Sequence, residues 1–186
     1  MKTREREILK RARKLFSEKG FYNLTVSDIV NSLGIARGTF YLYFKNKNDV
    51  YKRVLEELVL EISSKLKLLP RENPVDQLRE NLRSLLSLFE EDRELALLIL
   101  NHPHKLNPEF DRLIEEFFKK VYSLVEHSLL TGMKLGLVRS CNVQVVSRAI
   151  VGAFLETGKG IVEGKVNIDE AVEELVNLAF KGILEG

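Results

Sequence analysis

Leu24-Thr25-Val26-Ser27-Asp28-Ile29-Val30-Asn31-Ser32-Leu33-Gly34-Ile35-Ala36-Arg37-Gly38-Thr39-Phe40-Tyr41-Leu42-Tyr43-Phe44-Lys45-Asn46-Lys47 is the stretch on which the reading of this chain turns. Thr25 can cap a helix with its hydroxyl, and Asp28, three residues on, supports the helix dipole in an aspartate version of the capping box. Val26, Ile29, Val30 and Leu33 then form one apolar face. Gly34 supplies a residue able to take positive φ where a helix ends abruptly. A very short helix over residues 37–43 follows. Two helices joined by a glycine turn, the second short enough to expose most of its length, have the architecture of a helix-turn-helix.

Working outward, Ile8, Leu9, Ala12, Leu15 and Phe16 mark the buried stripe of a preceding helix, which Gly20 stops. Downstream, asparagines stand where helices should begin. Asn46 opens a long helix through Val50, Val54, Leu58, Ile62, Leu66 and Leu69, ended by Pro70 and about 35 Å long at helical rise. Asn73-Pro74 opens the next, Asp92 a short one over 95–100, and Asn107-Pro108 one that reaches Gly132 or beyond; Asn142 and Asn167 begin the last two. No stretch alternates strictly, so the expected fold is all-α with about nine helices. The long helix after Asn46 is the natural strut between an N-terminal domain, residues 1–46, and a C-terminal domain, residues 47–186.

The 186 residues are 45% hydrophobic and 30% charged, enough to build a core without staples. Cys141 is the sole cysteine, which forbids an intrachain disulfide and favours a reducing, cytoplasmic setting. The longest uncharged run, residues 95–104, contains Pro103 and falls well short of the roughly 20 apolar residues of a membrane span. The N-terminus enters a charged helical pattern with no apolar signal core, so neither export nor a membrane is expected. The net charge of +2 conceals an asymmetry: residues 1–53 hold 13 Lys and Arg against 5 Asp and Glu, a net +8, and the remainder is net negative. A basic segment fused to a larger acidic one suggests that the first meets a polyanion.

Leu15-Phe16, Gly20-Phe21, Leu24-Thr25-Val26 and Ile29, with the unbroken series from Leu33 to Lys47, closely resemble the N-terminal domain of tetracycline-repressor (TetR) family transcription regulators. The resemblance covers the first quarter of the chain. It implies a ligand-responsive, DNA-binding regulator, most naturally a repressor released from a palindromic operator by a small, largely apolar effector. Carried over position by position, it implies that Arg37, Gly38, Thr39, Tyr41 and Tyr43 face DNA. Thr25 would offer its hydroxyl and amide to a phosphate, Ser27 would lie near the groove edge, and Lys47 would touch phosphate at a helix N-terminus. Phe40 and Phe44 should be core. Ala36 stands where the family commonly has serine, which leaves the short helix without a side-chain cap.

The chemistry of these residues fits. Arg37 can fork two donors onto guanine, or hold a phosphate without reading sequence; the tyrosine hydroxyls can reach phosphate, or the rings can be half-buried core. A recognition helix covers few base pairs, so two copies are needed at half-sites about 34 to 36 Å apart. The expected homodimer interface lies on the last two helices, through Ala149, Gly152, Ala153, Val172, Leu175, Val176 and Ala179. Phe89, Phe110, Phe117, Phe118, Tyr122 and Phe154 are candidate walls of an effector cavity, or simply core. His102-Pro103-His104 lacks a third metal ligand, and His127 reads as a core histidine, so neither a metal nor a cofactor is expected. Control by a protein partner, or without any ligand, is the alternative. A small all-α enzyme finds no nucleophile, base and orienter among three histidines and one cysteine.

Overall fold

The computed structural model describes residues 3–67, 69–70, 72–91, 96, 100 and 108–180, except for the side chains of Glu109 and Phe110. Its described residues form eight helices and no strand: α1 (Thr3–Asn23), α2 (Val26–Leu33), α3 (Arg37–Tyr41), α4 (Lys47–Lys65), α5 (Pro74–Glu91), α6 (Pro108–Lys134), α7 (Val143–Val162) and α8 (Ile168–Phe180). The short helix expected at 95–100, apart from Ala96 and Leu100, lies outside the described residues. So do the His102-Pro103-His104 loop and the Phe110 side chain.

Ile8, Leu9, Ala12, Leu15 and Phe16 are buried on α1 as their spacing requires. Gly20 does not stop the helix outright. It takes φ 73° inside it, a kink that turns Phe21 into the core. The capping box at α2 forms in full: the Thr25 amide donates to Asp28 Oδ2 at 2.8 Å, and the Asp28 amide donates to Thr25 Oγ1 at 3.2 Å. Gly34 closes α2 in the left-handed region, φ 63°, where a Cβ would be strained. At α3, Ala36 provides no side-chain cap. α4 begins at Asn46, whose Oδ1 accepts the Asp49 amide at 2.9 Å.

α4 ends earlier than the apolar period suggested. Leu66 is already extended, so the strut is 19 residues and roughly 28 Å rather than 35 Å. The cause is a side chain from α5: buried Asn81 pairs with the backbone of Lys67 and substitutes for the next helical hydrogen bonds. Leu66 continues to pack, but from coil.

Two apolar cores result. The first unites α1–α3 with Val50, Tyr51, Val54, Leu55 and Leu58 of α4, and continues to Leu85 and Leu88 on α5 and to Ile114 and Phe117 on α6. The second joins Leu86 and Phe89 on α5 to Ile161 on α7 and to Ala171, Val172 and Val176 on α8. The expected boundary at residue 46 therefore falls at the N-cap of a helix whose first three turns are buried with the N-terminal helices. On the surface, Glu5–Arg53 at 2.9 Å and Glu61–Arg13 at 3.4 Å tie α1 to α4, while Arg79 forks onto Glu173 at 2.6 and 3.0 Å and ties α5 to α8.

Candidate nucleic-acid interface

α3 is held by two rings. Phe40 and Phe44, four residues apart, are fully buried, and the Phe44 amide donates to Phe40 O at 3.0 Å, so helical geometry persists past the end of α3. At 100° per residue, the direction opposite these two rings is occupied by Leu42, with Gly38 and Thr39 on either side and Tyr41 beyond Gly38. Tyr41 is 52% exposed, Arg37 and Gly38 are exposed, and Thr39 and Tyr43 are half-buried. Tyr43 packs its ring against the first core, so its hydroxyl, not its ring, is the part left to reach outward. Of the residues expected to face DNA, Arg37, Gly38 and Tyr41 are thus exposed on α3, while Thr39 and Tyr43 lie partly covered.

Gly38 is the most informative of them. Its φ is not positive, and a Cβ built on it would meet nothing within 4 Å. Nothing in the chain's own packing requires glycine there, although glycine costs a helix interior about 1 kcal/mol relative to alanine. The chain's own packing therefore leaves open space in front of the α3 backbone at this position.

At the N-terminus of α2, Thr25 is exposed, but both groups expected to meet a phosphate are engaged. Its amide and its hydroxyl both donate to Asp28 Oδ2, the hydroxyl at 2.5 Å. Asp28 also accepts from Lys19 Nζ at 2.7 Å, and these bonds hold its carboxyl well below the usual carboxylate range. A phosphate arriving here meets the open first-turn amides of Val26 and Ser27 rather than that of Thr25.

Lys47 is half-buried. Its ammonium donates to Phe21 O at 2.6 Å and lies 4.3 Å from the centroid of the Phe21 ring; burial lowers its pKa. It therefore joins the start of α4 to the end of α1, leaving its other N–H groups for a phosphate.

Leu42 escaped the sequence reading, which sought hydrogen-bonding groups. The signal was present in the spacing, because a residue two positions from both Phe40 and Phe44 must point away from whatever those rings bury.

The remaining candidates do not form one cluster. Phe89 is buried against Gly158, its ring 5.5 Å from that of Phe154, in the second core. Phe117, Phe118 and Tyr122 run along α6 with ring separations of 5.2 and 6.1 Å, and the Arg148 guanidinium lies over Tyr122 at 5.1 Å. Of these aromatics, Phe117 lines a shallow groove between α4 and α6, beside Leu55, Val59 and Leu113, with Lys52, Glu56, Glu116 and Lys120 at its rim. His127 is exposed, not core: α6 turns Leu124 and Val125 inward and leaves it outside.

On the last two helices, Ala149, Gly152 and Ala179 are exposed, and Ala153 and Leu175 half-buried. Val172 and Val176 are enclosed in the chain's own second core and present no surface. The apolar groups turned outward alongside the small residues are Val145 and Ile150 on α7 and Leu178 and Phe180 on α8. Among the described residues, no helix is long and apolar enough to cross a membrane, and no three His, Cys, Asp or Glu are grouped to hold a metal.

This geometry agrees with what the chain is similar to. A family model for bacterial regulatory proteins of the tetR family matches residues 8–54, and one for the tetracyclin repressor-like C-terminal domain matches residues 71–183. The uncharacterized HTH-type transcriptional regulator YerO of Bacillus subtilis is 24% identical over 177 residues, 91% of this chain; the chain spans 60% of that relative's length. Among solved structures, the transcriptional regulator FadR of Bacillus subtilis, in complex with stearoyl-CoA, superposes with a TM-score of 0.77 at 23% identity, covering 96% of this chain and 99% of that one. AibR, in complex with isovaleryl coenzyme A and operator DNA, superposes at 0.65 and 21% identity, covering 95% and 98%. At these identities the superpositions carry the fold. The two family matches carry the membership: together they take in α3 and the helices behind it, and the chain belongs to the tetR family of bacterial regulatory proteins.

Proposed function

We propose that the chain is a homodimeric transcription regulator that represses from a palindromic operator and is released by a small, largely apolar effector. Residues 1–46 are the reading head, and residues 47–186 bind the effector and the second copy. The observation that carries the DNA-binding part is Gly38, a glycine that the fold does not need, on the exposed side of α3 in a head with net charge +6. Arg37, Thr39, Tyr41 and Tyr43 act from the same helix, Thr25 and Ser27 from the N-terminus of α2, and Lys47 from that of α4.

For the effector we favour the acyl-CoA class. FadR and AibR, which share the fold, are both described with an acyl-CoA bound. Phe117, Phe118 and Tyr122, which follow one another along α6, are the aromatics we assign to the apolar wall for an acyl chain, with Phe117 at the groove between α4 and α6. The partner copy docks on the outward face of α7 and α8 through Ala149, Gly152, Ala153, Leu175 and Ala179, flanked by Val145, Ile150, Leu178 and Phe180. Small residues allow the helix backbones to approach there. The chain's curated relative is a transcription regulator, and we assign this chain no catalytic step.

The test is selection of duplexes from a random library by the full chain, followed by titration of the selected operator at several salt concentrations with stearoyl-CoA or isovaleryl-CoA added. Palindromic half-sites, a steep salt dependence and release by one of the two thioesters are expected. Operator binding indifferent to both, and to a broad panel of apolar compounds, would favour control by a protein partner or none.

A further inference from the structure

We infer that Leu42 reads sequence as an apolar contact to the C5-methyl group of a thymine in the major groove. The inference rests on the DNA-binding reading above and adds a residue that donates and accepts nothing. Leu42 is 79% exposed, more than any other large apolar residue described. Its neighbours Leu33, Ile35 and Tyr43 pack against the first core, whereas Leu42 does not.

Its position is fixed, not frayed. The backbone is helical, φ −69° and ψ −21°, and its amide donates to Gly38 O at 3.2 Å. It therefore stands one turn above Gly38 on the same outward line, opposite the two buried rings. Glycine at 38 clears the space in front of the helix, so whatever surface meets the backbone there meets the Leu42 side chain next. The surrounding head is strongly basic, so that surface is anionic. A nucleic-acid duplex is anionic at its phosphates, and the apolar group it displays in the major groove is the thymine methyl, which aliphatic side chains can recognise.

The experiment uses the operator selected by the full chain and replaces its thymines one at a time with uracil, which deletes the methyl and keeps every hydrogen-bonding group. At one thymine in each half-site, uracil should weaken wild-type binding about three- to ten-fold, as expected for losing a methyl contact or two in a symmetric dimer. Leu42→Ala should bind the thymine and uracil operators equally at that position while keeping the wild-type thymine preference elsewhere. Its melting curve should match wild type, because the side chain it removes packs against nothing.

Wild-type protein indifferent to every thymine-to-uracil change overturns the inference and leaves the DNA-binding reading standing. So does a Leu42→Ala variant that keeps the wild-type thymine-to-uracil ratio. Failure to enrich any duplex overturns both.

Discussion

The Asn81 carboxamide grips both backbone groups of Lys67: Nδ2 donates to Lys67 O at 2.7 Å, and the Lys67 amide donates to Oδ1 at 3.2 Å. Asn81 is buried, and Gln77 Nε2 donates to the same Oδ1 at 3.2 Å. The end of α4 is thereby fixed to α5 by a side chain that imitates backbone pairing. Asn81→Leu should strand the Lys67 amide and carbonyl and destabilise the protein by about 1 to 3 kcal/mol, read as a lowered urea midpoint. The exchange protection of the Lys67 amide should fall with it. An unchanged midpoint would show that water replaces the carboxamide at no cost.

Gly38→Ala should separate folding from function. With nothing within 4 Å of the added Cβ, the variant should melt at or above the wild-type temperature, gaining up to about 1 kcal/mol of helix propensity. Its affinity for operator should nevertheless drop at least ten-fold in a mobility-shift titration. Retained affinity would mean that no surface approaches this backbone.

Arg37 and Lys47 should differ in kind. Arg37→Ala should relax preference at one base pair per half-site, with a discrimination loss of about 1 to 3 kcal/mol. Lys47→Met should weaken all sequences by similar factors and reduce the salt slope by about 2, one phosphate contact from each protomer. Because the ammonium also holds Phe21 O, Lys47→Met should in addition lower the melting temperature. Identical sequence profiles for the two variants would remove base reading from Arg37.

Gly158→Ala inverts the usual expectation for a glycine inside a helix. A Cβ there would run into the ring of Phe89, so overpacking of about 1 to 3 kcal/mol should outweigh the gain in propensity. Calorimetry should show a lower melting temperature, and Gly38→Ala, with open space at its Cβ and outside the proposed dimer face, should show none of this loss.

Asp28 gives the pH dependence of the head. Its folded pKa is depressed by the Lys19 ammonium and by the Thr25 hydroxyl and amide, below an unfolded value of about 3.9. Its contribution is therefore complete above the unfolded pKa and is lost as pH falls below it. The stability difference between wild type and Asp28→Ala should be constant from pH 8 to 5 and should shrink below about pH 4. A difference that grows on acidification would reverse the sign argued here.

Most of the helices could be read in advance because their ends are chemically marked. Thr25 with Asp28, Gly34, Asn46, Asn142 and Asn167 each satisfy or terminate backbone groups within a few residues, which is a local property. What was not legible depended on distant residues. The α4 stripe runs on to Leu69, and only Asn81, contributed by another helix, shows why the helix stops at Lys65. Val172 and Val176 share the apolar period of an interface helix, yet period alone does not say whether α5 of the same chain or a second copy covers them. Leu42 is a different case: its spacing from Phe40 and Phe44 already points it outward, but it carries no hydrogen-bonding group to mark it as a contact.

Tyr51, Val54 and Leu58 lie on the strut but are roofed by α1, whose Phe16 ring meets Tyr51 edge-on at 4.8 Å. Cutting the chain at residue 46 would strip the underside from that roof, so an excised reader of 46 residues should be a disordered peptide. Whatever turns the strut turns α1–α3 with it through this shared core, so a signal from the far part of the protein needs no flexible joint to arrive.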